Sequence, residues 1–110
     1  MLDHEVCWRL WHELGTLNAV RRKFKEDGLI NPKTGEPPTN SAIEKSAFAW
    51  ATENPEEAKK HVARSWQKEG LILTDDEWYR VLVKMGKLIF SQRPGRFKKF
   101  IEANGLEKWV

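Results

Sequence analysis

A single cysteine, Cys7, stands in 110 residues, so no internal disulfide can hold the chain, and a reducing compartment is the consistent setting. No apolar run approaches the roughly 20 residues that a helix needs to cross a bilayer. The opening MLDHEVCWRLW also lacks the basic start and unbroken apolar segment of a secretory signal. A cytoplasmic protein without membrane contact is therefore expected. Phosphate-cradling glycine loops are missing, since Gly35 and Gly95 each stand alone near prolines. No Ser/His/Asp or Cys/His spacing builds a nucleophile, and the carboxylates gather at helix starts, where capping and the helix dipole account for them. His4, Cys7 and His12 recur at helical spacing, but no second cluster completes a coordination sphere. The expectation is a non-catalytic protein with no metal and no cofactor.

What is present is a folding composition. Hydrophobic residues make up 40% of the chain, enough for one domain spanning residues 1–110. The formal net charge is only +3, but its distribution is uneven. Segments 16–35, 59–73 and 87–101 are each net basic, and 36–58 is net acidic, which implies separate basic and acidic faces. Six tryptophans are the compositional oddity. Trp8, Trp50, Trp66 and Trp78 lie on or near apolar stripes and read as core. Trp11 and Trp109 are less determined by pattern, and an exposed one would suit base stacking or a protein partner.

The spacing predicts about six short helices. Asp3 is placed to cap the first, whose repeat of Leu2, Val6, Leu10 and Leu14 marks an apolar face flanked by Cys7 and Trp11. Gly15 stops it, and Thr16 caps a second helix with Leu17, Val20 and Phe24 on one face. Arg21, Arg22, Lys23 and Lys25 fall mostly on the other, and Gly28 ends the helix. LINPKTGEPP, residues 29–38, then reads as a small hairpin or a turn-rich loop, with Pro37 and Pro38 discouraging a long ladder. Thr39 or Asn40 caps a third helix with Ile43, Ala47, Trp50 and Ala51 inward. Asn54-Pro55-Glu56-Glu57 restarts a fourth, which carries Ala58, Val62 and Trp66 inward as far as Gly70. Thr74-Asp75-Asp76-Glu77 opens the most apolar helix, with Trp78, Leu82, Met85 and Ile89 expected at the centre of the core. Gly86 within it implies a close helix crossing. Pro94 starts the last helix, with Phe97, Phe100 and Ile101 inward and Arg93, Arg96, Lys98 and Lys99 on its remaining surface. FKEDGLI (24–30), WQKEGLI (66–72) and FIEANGL (100–106) resemble one another, either as an old duplication or as helix ends obeying the same capping chemistry.

LWHELGTLNAVRRKF followed by TNSAIEKSAFAWA resembles the helix-turn-helix of phage and mobile-element DNA-binding proteins, with Gly15, Thr16, Leu17, Ala19 and Val20 matching the opening of its first helix. The resemblance covers about a third of the chain, and LINPKTGEPP is longer than the usual turn. It implies an all-α, helix-turn-helix-like domain that binds double-stranded DNA as a regulator or as a packaging or recombination accessory. Thr39, Asn40, Ser41, Glu44 and Lys45 would then approach base edges, and Arg21, Arg22, Lys25 and Lys33 the phosphates. Arg93, Arg96, Lys98 and Lys99 would add a second phosphate-contacting surface. The alternative is a helical adaptor or small assembly subunit that meets a protein partner or a second copy of itself.

Overall fold

A computed structural model describes residues 2–62 and 74–110. Every regular element among them is helical, in the order α1 (His4–Leu14), α2 (Leu17–Glu26), α3 (Asn40–Glu53), α4 (Pro55–Lys60), α5 (Asp75–Ile89) and α6 (Pro94–Ala103), closed by a 3-10 turn at Glu107–Trp109. None of these helices is long and apolar enough to cross a membrane.

Four helix starts use the side chains that the sequence offers. Asp3 accepts from the Val6 amide, Thr16 from Ala19, Thr39 from Ala42 and Thr74 from Glu77, at 3.1–3.3 Å. Asn54 behaves differently. It is the single residue joining α3 to α4, and its side-chain amide donates back to the Trp50 carbonyl rather than capping α4. With its Nδ2 held on the Trp50 carbonyl, its Oδ1 accepts from no α4 amide. Glycine endings follow expectation: the Leu29 amide reaches Phe24 O at 2.8 Å, and the Leu106 amide reaches Ile101 O at 2.9 Å. The similarity of 24–30 to 100–106 is thus matched by shared end-capping chemistry. Segment 66–72 lies outside the described residues, as do Trp66 and Gly70.

The core differs from the sequence reading in three places. On α1 the buried side chains are Cys7, Trp8, Trp11 and His12, while Val6 and Leu14 remain 39% and 41% exposed. A four-residue repeat turns about 40° per step on a helix of 3.6 residues per turn, so those four apolar residues spread around the cylinder. The two indole rings, with far more area to bury, set the face instead. Secondly, the packing hub is α3, which touches α1, α2, α4 and α5. Its fully buried Ala47 and Ala51, beside Ile43, let the backbones approach closely. α5 is buried as expected at Trp78, Leu82 and Met85, but Ile89 is half-exposed and Leu88 faces solvent. Thirdly, α4 ends at Lys60; Ala58 and Val62 are buried, although Val62 lies beyond the helix.

Gly86 sits where α6 crosses α5. A Cβ there would lie 2.6 Å from a Phe100 ring carbon and 3.4 Å from Phe97. Helix propensity alone would make Gly86→Ala stabilising by about 1 kcal/mol. The buried Phe100 ring, already packed on Phe90 at 5.7 Å between centroids, has to move first. Net destabilisation of about 1–3 kcal/mol is therefore expected in thermal or urea unfolding. A more stable variant would show that the α5–α6 contact is loose.

The 29–38 segment is a turn-rich loop without a strand. Asn31 organises it, with its amide donating to Glu36 O at 2.8 Å and its carbonyl accepting from Gly35 N at 2.8 Å. The Asn31 side chain also accepts from the Lys33 amide at 2.8 Å. Gly35 takes φ +70°, the left-handed position that a side chain would strain.

Candidate nucleic-acid interface

The exposed side of α2 is where the expected cations meet the start of α3. Val20 and Phe24 bury one face of α2 against α1 and α3, leaving Arg22, Lys23 and Lys25 in solvent. Asn18, Arg21, Arg22 and Lys25 line an open cleft of about 250 Å³, closed on its far side by Glu36 and Pro37 of the loop. The end of that loop leads directly into Thr39, the cap of α3.

Two contacts fix this junction. Arg21 donates from Nε to Pro38 O at 3.1 Å and from Nη2 to Glu36 Oε2 at 3.4 Å. Asn40 Nδ2 donates to Asn18 Oδ1 at 2.8 Å, tying the first turn of α3 to α2. The loop is therefore long in sequence, yet it leaves the two helices joined at one end. Asn18, absent from the expected set, was legible as the polar position one turn before Arg21 and Arg22.

The expected site residues divide accordingly. Arg21, Arg22 and Lys25 share the cleft, and Asn40 is tied to it through Asn18, with Thr39 beside it in the chain and Ser41 and Lys45 following along the first turns of α3, both exposed. Arg21 and Asn40 are committed to holding the junction. Arg22, Lys25 and Lys45 enter no ion pair among the described residues, so their charges are uncompensated there. Glu44, the acid nearest Lys45 in the chain, is half-buried and Glu53 is exposed at the far end of α3. Lys33 is exposed in the loop, away from the cleft lining. Arg93, Arg96, Lys98 and Lys99 are all exposed, but α6 packs chiefly on α5 rather than on α2 or α3. The second basic block is thus a separate surface.

On the other side of the Arg21–Glu36 pair lies an apolar groove of about 800 Å³, lined by Leu2, Leu29, Ile30, Pro32, Pro38 and Ala42 among others. Leu29 and Ile30 are 37% and 42% exposed within it.

Comparison with protein families, with characterised proteins and with solved structures returns no match for this chain.

Groups with shifted acidity lie in the core, away from this surface. Burial, helped by Asp3, pushes the Cys7 thiol up to about 11. Burial, helped by His61, pulls His12 down to about 3. A thiol held so firmly protonated is a poor nucleophile. Among the described residues, no three His, Cys, Asp or Glu side chains converge as a metal site.

Proposed function

We propose that this protein binds double-stranded DNA without catalysis, through the junction of α2 with the N-terminus of α3. The observation that carries the reading is the placement of uncompensated α2 cations in a cleft whose lining residue Asn18 is tied to Asn40, in the first turn of the next helix. Arg22 and Lys25 contact phosphates, helped by the partial positive charge of the α3 N-terminus. Ser41 and Lys45 approach base edges, with Lys45 suited to guanine acceptors. Arg21, Asn18 and Asn40 act by positioning, because their hydrogen bonds fix where the two helices meet. Arg93, Arg96, Lys98 and Lys99 form a second phosphate-binding surface, and Lys33 extends the first. The resemblance to helix-turn-helix proteins of phage and mobile elements supports a regulator or a packaging or recombination accessory.

Salt-titrated binding to duplex DNA tests this. Each phosphate contact on B-DNA adds about 0.9 to the slope of log K against log salt. Arg22→Gln/Lys25→Gln should therefore flatten that slope by about 1.8 and weaken binding to all sequences alike. Lys45→Gln should instead alter preference between sequences, by about 1–3 kcal/mol if a bidentate contact is lost. Duplex affinity unchanged after neutralising both the α2 and α6 blocks would overturn the proposal. The apolar groove beside Leu29 and Ile30 favours the second reading, an adaptor for a protein partner or second copy. An adaptor would show no salt-dependent duplex binding, and Ile30→Asp would abolish its partner contact.

A further inference from the structure

A second cationic groove lies between α5 and the closing 3-10 turn, apart from the α2 cleft. Arg80, Lys84 and Lys87 are exposed on α5 at i, i+4 and i+7, so they form one stripe. The rise along the helix sets them about 6 and 4.5 Å apart. Trp109 and Lys108 flank this stripe, and nearly buried Val83 contributes an apolar wall to a cavity of about 420 Å³.

Asp76 prearranges one end of the groove. Its Oδ1 accepts from Trp109 Nε1 at 2.6 Å, and its Oδ2 pairs with Arg80 Nε at 3.0 Å. Tyr79 supports the indole at 4.8 Å between centroids. Arg80 is thereby compensated, whereas Lys84, Lys87 and Lys108 enter no ion pair among the described residues. Lys108 Nζ instead lies 5.4 Å from the Trp109 ring centroid, as a cation resting on a π-face.

A π-face fixed at the edge of a row of spare ammonium groups suits a chain of phosphates that carries flat, unpaired rings. We propose that this groove binds single-stranded nucleic acid, with one base stacked on Trp109 and the adjoining phosphates held by Lys84, Lys87 and Lys108. The Lys108 ammonium swings from the ring to a phosphate as the base arrives. A duplex cannot use the indole in this way, because its bases are already stacked on one another. An acidic peptide would satisfy the lysines and leave the ring idle. The site stands independently of the duplex-binding junction.

The test uses a labelled oligothymidine of about eight nucleotides, within the range bound by single-strand sites. Its anisotropy is followed across a salt series. Lys84→Gln/Lys87→Gln should flatten the single-strand slope by about 1.4, at about 0.7 per phosphate. Trp109→Ala should weaken binding about 5- to 150-fold, while Trp109→Phe, which keeps a stacking face, retains most of it. Should Trp109→Ala disturb folding, the lysine pair, fully on the surface, still decides the matter. An unchanged slope in that pair would overturn the proposal. So would a Trp109→Ala protein that folds and binds normally, or competition by polyglutamate as effective as by unlabelled oligothymidine. Arg22→Gln/Lys25→Gln should leave single-strand affinity intact. If it falls there and not in the lysine pair, the strand lies on α2 and the groove assignment is wrong.

Discussion

Trp8→Ala should cost about 3–5 kcal/mol, a large fraction of the roughly 5–15 kcal/mol that holds a domain folded. Trp8 is 0% exposed, and it links α1 to α3, α4 and α5. Its Nε1–H donates to the Ala58 carbonyl of α4 at 3.1 Å. Its ring meets Trp78 of α5 at 6.3 Å and Trp50 of α3 at 6.5 Å. Within α1 it touches Trp11 at 6.3 Å and His12 at 3.9 Å. Removing the indole opens a cavity bounded by four helices and leaves a buried carbonyl without this donor. Trp8→Phe keeps most of the volume, and the Ala58 carbonyl still accepts from the His61 amide at 3.1 Å, so the lost hydrogen bond costs only about 0.5–1.5 kcal/mol. Urea denaturation of the two variants separates the contributions. A loss within about 0.5 kcal/mol for Trp8→Ala, as at surface sites, would mean that α1 is misplaced.

Acid should unfold the protein through His12. Its folded pKa, about 3, lies below the ordinary 6.5 because burial disfavours the charged ring and His61 adds repulsion. The unfolded chain takes up a proton as pH falls through 6.5, and the folded state refuses it until about 3. Stability is therefore complete above pH 6.5 and declines below it, by about 1.4 kcal/mol per pH unit. The loss reaches the order of 3 kcal/mol near pH 4. At 6% exposure His12 has little solvent to screen this. His12→Leu, of similar volume, should remove that part of the pH dependence while the contribution of the carboxylates remains. Parallel pH–stability curves for the two proteins would refute the assignment.

Much of the fold was written locally. Thr16, Thr39 and Thr74 cap helices because a hydroxyl at that position meets an orphan amide whatever the tertiary structure. Gly86 announced a close crossing because a helix interior tolerates glycine only at a cost. The hub was less legible. Apolar content pointed to α5, but close packing favours small side chains, and the alanines of α3 carry little hydrophobic signal. On α1, leucine periodicity competed with two tryptophans, and the larger surface prevailed. At the proposed site the cations were readable, but their pairing was not. Arg21 and Arg22 are neighbours in sequence, yet only the first is drawn to Glu36 and Pro38, through a loop fold that depends on Asn31 and Gly35. Lys84 and Lys87 sat on a helix read for its apolar side, so their stripe was overlooked.

Backbone amide shifts recorded while a short duplex is added at low salt decide whether the α2–α3 junction binds DNA. Changes should concentrate at residues 16–25 and 39–45 and fade as salt rises, with Lys84, Lys87 and Trp109 responding to single strands instead. No changes at low salt, or changes confined to the Leu29–Ile30 groove or the α1–α4 side, would contradict binding at that junction.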